Sequence, residues 1–145
     1  MNNNLLDATV NLINDKVKFQ GTAKENPSIT IDYVPPLGDG EGYTSLELLL
    51  LSLASCSGTA VLSILRKMKK NISGFRVKAQ GARREEHPTI LTNIKLEFSI
   101  ESNDADEESV QKAIAMSEAS YCPVWAMLKN STEITAEYRI IDNSK

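Results

Sequence analysis

Residues 45–70 read SLELLLLSLASCSGTAVLSILRKMKK, and no charged residue stands between Leu48 and Leu65. By length alone such a run admits a membrane-spanning helix. Ser52, Ser55, Ser57, Gly58, Thr59 and Ser63 dilute it, however, and no second span follows. The pattern predicts a buried helix, because apolar residues occupy most of its circumference. Glu47 suits its positive end, and Arg66, Lys67, Lys69 and Lys70 suit its negative end. At 100° per residue, Ser52, Cys56, Thr59 and Ser63 form one narrow stripe of small side chains. Leu50, Ala54, Val61 and Leu65 lie opposite. A small-residue stripe lets another helix or a ligand come close to the backbone, and Cys56 stands in its middle. One chain of 145 residues has difficulty covering such a helix on every side, so two copies are expected to pair over it.

The segments around this helix are strands and shorter helices. Ahead of it, Ala8-Val10-Leu12, Val17-Phe19 and Ile29-Ile31-Tyr33 alternate between turn residues, which predicts a small antiparallel meander. Pro35-Pro36 and Gly38-Asp39-Gly40-Glu41-Gly42 then form a breaker-rich loop, expected to be a plain surface connection. Beyond the helix, Phe75, Val77 and Ala79 alternate with polar residues, and so do Ile90, Ile94, Leu96, Phe98 and Ile100. The connector Arg83-Arg84-Glu85-Glu86-His87-Pro88 reads as a solvated hairpin tip. Asn103 or Asp104 can cap a helix with Val110, Ala113, Ile114 and Ser117 facing inward. That helix should stop near Tyr121-Cys122-Pro123, and Pro123 suits the first position of a short new one. Ile134, Ala136, Tyr138 and Ile140 give a last strand. The expected class is α+β, in the order βββ-α-ββ-α-α-β with one long central helix.

Composition narrows the partners. Apolar residues make up 41% and charged residues 24%, which is ordinary for one globular domain over residues 1–145. The net charge of −3, with lysines and arginines scattered, argues against nucleic acid as a partner. The opening Met1-Asn2-Asn3-Asn4-Leu5 lacks a basic and an apolar export region, so a cytoplasmic protein with no membrane association is expected. Two cysteines in that setting are reduced unless they do redox chemistry.

Among residues that could carry chemistry, Cys122 should occupy the N-cap of the short helix, where free N–H groups favour a thiolate. Cys56 lies inside a helix, where no terminus assists it, and it would need a nearby cation. On electrostatics alone Cys122 is expected to be the more acidic thiol. Cys56, Cys122 and His87 lack metal-site spacing, so no metal is expected. The glycine loop is acidic and would repel phosphate, and no cofactor is expected.

Ser45-Leu46-Glu47-Leu48-Leu49-Leu50, Ala54-Ser55-Cys56-Ser57 and Leu65-Arg66-Lys67-Met68 resemble the central helix of the OsmC/Ohr family. Gly81, Arg83-Arg84-Glu85-Glu86-His87-Pro88 and Ser120-Tyr121-Cys122-Pro123-Val124 continue the resemblance in order, from about Gly42 to Ile140. The two cysteine blocks stand 66 residues apart. The chain is most similar to the OsmC-like, YhfA-like branch rather than the organic hydroperoxide resistance branch. The resemblance implies an intertwined homodimer with two long central helices. It also implies a thiol peroxidase of oxidative-stress defence, acting on organic peroxides or hydrogen peroxide. Cys56 maps to the peroxidatic cysteine and Cys122 to the resolving one that closes a disulfide. A dithiol of lipoyl or thioredoxin type is the implied reductant.

One departure stands out. Peroxidase members hold the thiolate with an arginine from the N-terminal strand region, partnered by a glutamate. Here no arginine precedes Arg66, and Lys16, Lys18 and Lys24 lack the planar fork. Glu47 stands nine residues before Cys56, where the peroxidase branches have ten. The candidate site is therefore Cys56, Cys122 and Glu47, with Arg83 or Arg84 supplying the cation across a dimer. The alternative is a non-catalytic dimer that binds a small apolar or thiol-containing ligand, as a redox sensor would.

Overall fold

The computed structural model describes residues 4–143. Its elements run β1 (Thr9–Leu12), β2 (Phe19–Thr22), β3 (Ile29–Ile31), α1 (Ser45–Lys67), β4 (Ile72–Arg83), β5 (Leu91–Ser102), α2 (Glu107–Met116), a π-helical turn (Ser117–Tyr121), α3 (Pro123–Leu128) and β6 (Glu133–Ile141). The class is α+β in the expected order, with the π turn as an addition. The chain divides into two compact units, Met1–Leu49 and Leu50–Lys145.

In the first unit β1, β2 and β3 form an antiparallel meander in that order. Val10 and Leu12 remain about half exposed, so this sheet has little core of its own. Its order comes from the loop that follows. Asp32 is buried, and its carboxylate accepts hydrogen bonds from the N–H groups of Tyr33 (2.8 Å), Asp39 (3.2 Å) and Glu41 (3.1 Å). Burial pushes the Asp32 carboxyl upward, but these donors outweigh it and hold it below the usual carboxylate range. Gly38 packs against the Tyr33 carbonyl and the Asp32 carboxylate so closely that a Cβ would collide with both. The breaker-rich segment is thus a knotted turn around one buried carboxylate, more structured than a plain connection.

In the second unit β4 and β5 make a long antiparallel hairpin, and β6 lies parallel to β5 on its other side. Central β5 buries Ile94, Leu96, Phe98 and Ile100, as the alternation predicts. The first residue of the pattern differs: Leu91 is buried and Ile90 is 41% exposed. The cause is an irregularity between Ala82 and Arg83, where the pairing skips one residue of β5 and reverses which side chain points inward. Leu53, Val61 and Leu65 of α1 are fully buried. Gly58 brings α1 so near β4 that a Cβ there would lie 3.1 Å from Val77 Cγ2.

α1 is long and apolar enough to cross a membrane by length and composition, yet one face of it forms this core. Only about a third of its most apolar stretch is buried, and Leu51 is 52% exposed. Burial all round, expected from the sequence, is therefore not reached within one chain, because the sheet covers a single side of the helix. α2 is capped by Asp106 instead of Asn103 or Asp104. The Asp106 carboxylate accepts from Ser109 N–H (3.0 Å), and the Ser109 hydroxyl accepts from Asp106 N–H (3.1 Å). Asp104 is engaged elsewhere, accepting from Asn71 N–H and the Ser102 hydroxyl.

Candidate functional site

Cys56 lies at mid-length on α1, half-buried, and Cys122 lies between the π turn and α3, fully buried. Both are free thiols. Their sulfurs are close enough to interact by hydrogen bonding, although 66 residues separate them in the chain. A buried contact lies beside them. The hydroxyls of Ser57 and Ser117, both fully buried, are hydrogen-bonded at 3.3 Å and tie the start of the π turn to α1 beside Cys56. From Ser117 the backbone widens: Cys122 N–H donates to Ser117 O at 2.9 Å, five residues back. Pro123 disfavours a helical conformation at Cys122, which is extended, and α3 begins immediately after it. The π turn thus supplies the extra residue that carries the Cys122 sulfur round to Cys56.

Cys122 is the N-cap of α3, as expected, and its sulfur accepts from Trp125 N–H at 3.4 Å. It is not the acidic thiol that this position suggests. Burial pushes its pKa up to about 11; the Trp125 and Val124 N–H groups oppose that, and the adjacent Cys56 sulfur adds to it. Desolvation outweighs a single turn of helix dipole here, since the Cys122 side chain is buried. Two neighbouring sulfurs also cannot both hold a negative charge cheaply, so Cys122 keeps its proton at neutral pH.

Cys56 opens onto a cavity of about 630 Å³. On the α1 wall, Thr59, Ala60, Ser63 and Ile64 follow it toward Lys67 and Met68. The facing wall comes from Lys112 and Met116 of α2, then Tyr121 and Pro123. Three members of the small-residue stripe, Cys56, Thr59 and Ser63, therefore line open space as that stripe predicts. The Thr59 hydroxyl donates to Ser55 O (2.7 Å), so the helix consumes its own polarity.

The other candidates lie elsewhere. Arg83 and Arg84 stand at the exposed end of the β4–β5 hairpin and are not among the residues lining this cavity. Arg84 Nε donates to the carbonyls of Glu86 (3.2 Å) and Pro88 (2.7 Å), holding its own turn. The Glu47 carboxylate accepts from Thr44 N–H (2.8 Å), while the Thr44 hydroxyl accepts from Glu47 N–H (3.3 Å), a capping box at the start of α1. Those hydrogen bonds lower the Glu47 pKa. Lys16 and Lys18 pair with Asp39 (2.6 Å) and Glu41 (2.5 Å). The carboxylates of Asp32, Asp39 and Glu41 converge within 4.8 Å of one another, but N–H groups and these lysines already satisfy them. Sequence reasoning missed Ser57, Ser117, Lys67 and Lys112. Only Lys67 left a trace, because eleven residues after Cys56 it returns to the same face of the helix.

A long helix laid on an antiparallel hairpin, with one cysteine at its centre and another brought back to it, defines a class of protein, and residues 38–137 match the OsmC-like protein family. The chain belongs to that family. It is 33% identical over 96 residues to "Protein YhfA" of Escherichia coli, covering 66% of this chain and 72% of that one. A solved structure of a hypothetical protein from Aquifex aeolicus superposes with a TM-score of 0.84 at 27% identity, over 97% of this chain and 98% of that one. The organic hydroperoxide resistance protein OhrB of Bacillus subtilis shares the fold, with a TM-score of 0.64 at 14% identity, over 93% of this chain and 98% of the other.

Proposed function

We propose that this protein is a cytoplasmic OsmC-like thiol peroxidase of oxidative-stress defence, a homodimer of one domain per chain. The observation that carries the reading is the pairing of an accessible sulfur with a buried, protonated one at the mouth of an apolar cavity. In the proposed cycle the Cys56 thiolate attacks a peroxide oxygen. The S–O bond forms, the O–O bond breaks, and the alkoxide takes a proton and leaves as an alcohol, or as water from hydrogen peroxide. Cys56 is then a sulfenic acid. Cys122 attacks that sulfur, the S–S bond forms, and the S–O oxygen leaves as water with the Cys122 proton. An external dithiol, lipoyl or thioredoxin in type, returns both thiols and is itself oxidised to a disulfide. Arg83 or Arg84 of a second subunit, with Glu47, is the proposed charge support for Cys56.

Limiting peroxide should give one intrachain Cys56–Cys122 disulfide per subunit, seen by mass spectrometry under non-reducing conditions. Cys56→Ser should leave peroxide unconsumed, whereas Cys122→Ser should react once and accumulate sulfenic or sulfinic acid on Cys56. Retained turnover in Cys56→Ser would reverse the two roles. The open face of α1 around Leu51 supports the dimer, because a second copy would cover it. Light scattering at micromolar concentration should therefore return twice the chain mass, and Leu51→Glu should lower it; a monomeric wild-type protein would end that part of the reading.

A second reading is favoured by one fact: Lys16 and Lys18, cations of the N-terminal strand region from which the family's arginine comes, are already paired with Asp39 and Glu41. On that reading the dimer binds a small apolar or thiol-containing ligand without turnover. Thiols that react with peroxide no faster than an exposed cysteine would select it.

A further inference from the structure

The cavity beside Cys56 has a chemical polarity along its length. Cys56 marks one end of its α1 wall and Lys67 the other, eleven residues or roughly 16 Å along the helix. On the facing wall Lys112 of α2 lines the same cavity. Ala60, Ile64, Met68 and Met116 make the lining largely apolar, beside Thr59 and Ser63. No carboxylate lines the cavity, and neither lysine is in an ion pair among the described residues. Elsewhere Lys16, Lys18 and Lys95 each have an acidic partner. Two exposed cations without an ion pair, lining one largely apolar cavity, form a receptor for negative charge joined to an apolar body.

We infer that Lys67 and Lys112 bind the anionic head group of an amphipathic ligand whose apolar chain lies along α1 with its far part at Cys56. The proposal rests on reading this cavity as the place where Cys56 meets its substrate, and it specifies which substrates are held with the peroxide oxygen near the sulfur. Carboxylate and phosphate heads share the required charge. Threonine and serine side chains on the α1 wall leave room for the chain without competing for it, since Thr59 bonds to its own helix.

The test uses reduced full-length protein without peroxide, so it is independent of turnover. Decanoate, decyl phosphate and decanol, below their micelle concentrations, are titrated by calorimetry. In parallel, each is scored for protection of Cys56 from iodoacetamide, read on the Cys56 peptide by mass spectrometry. Both anions should bind about tenfold more tightly than decanol, and the stronger of the two identifies the head group. The Lys67→Gln, Lys112→Gln double variant should bind all three alike, and Lys67→Glu with Lys112→Glu should favour decylammonium instead. Circular dichroism and the melting temperature confirm that each variant is folded. Equal affinity of decanoate and decanol for the native protein, or an anion preference that survives the double Gln change, overturns the proposal. If the anions bind selectively but neither thiol consumes peroxide, the peroxidase reading fails alone and the anion site stands.

Discussion

The two cysteines occupy opposite kinds of local structure, and each behaves contrary to its position in the chain. Cys122 sits at a helix N-terminus, the place that ordinarily lowers a thiol pKa, and it is held protonated to about pH 11. Cys56 sits in the middle of an unbroken helix with no terminus to help it, and it is the sulfur that reaches open space. The difference lies in what covers each. Cys122 is buried together with Trp125, whereas small side chains at Thr59 and Ser63 leave the face beside Cys56 uncovered. Burial decides a thiol's charge more strongly than one helical turn of dipole does. Roles assigned by solvent access therefore agree with those implied by the family resemblance, and roles assigned by helix position do not.

The sharpest way to break this contrast is through pH. The folded-state pKa of Cys122 is raised from 9.0 to about 11, so the protonated form favours the native state. Its contribution is fully present below about pH 9 and is lost as pH rises through 11, worth roughly 2–3 kcal/mol across that window. Urea unfolding of the reduced protein at pH 7 and at pH 11 should show this loss. Cys122→Ala should lack it after the shared background is subtracted, and an identical pH slope in both proteins would place Cys122 in water.

A smaller effect probes the tether between the two regions. Ser117→Ala leaves the buried Ser57 hydroxyl without its partner and should cost about 1–3 kcal/mol. It should also slow closure of the Cys56–Cys122 disulfide while sparing the first oxidation of Cys56, which rapid-quench alkylation separates. The double Ser57→Ala, Ser117→Ala change should cost less than the sum of the single ones, because neither hydroxyl is then stranded. Equal disulfide rates in wild type and Ser117→Ala would show that the π turn holds its shape unaided.

The smallest expected change is at Glu47. Glu47→Gln keeps the capping-box geometry and should leave the melting temperature unchanged, while Glu47→Ala should lower it by about 2–4 °C. Peroxide turnover that falls in the Gln variant would give Glu47 its proposed electrostatic role beyond capping. Turnover that follows only the melting temperature would leave it a cap.

Periodicity in the chain identified most of the architecture, since the core-facing positions of β5 and α2 follow from spacing, whereas α1 reads as apolar nearly all round. Leu96 and Val110 are buried for reasons that are local: a helix or strand with one apolar face has one way to turn it inward. The cysteines, too, were legible as a pair from their flanking residues. Three features were not. The reversal at Ile90 and Leu91 depends on how β5 is paired, and the π turn begins where a serine at 117 meets one at 57. The union of Lys67 and Lys112 around one cavity depends on how α1 and α2 pack. Each of these joins residues distant in sequence through a single contact that leaves no repeating pattern. Local propensity sets which face of an element is apolar, but only tertiary packing determines which side chains meet and how far water is kept from a sulfur.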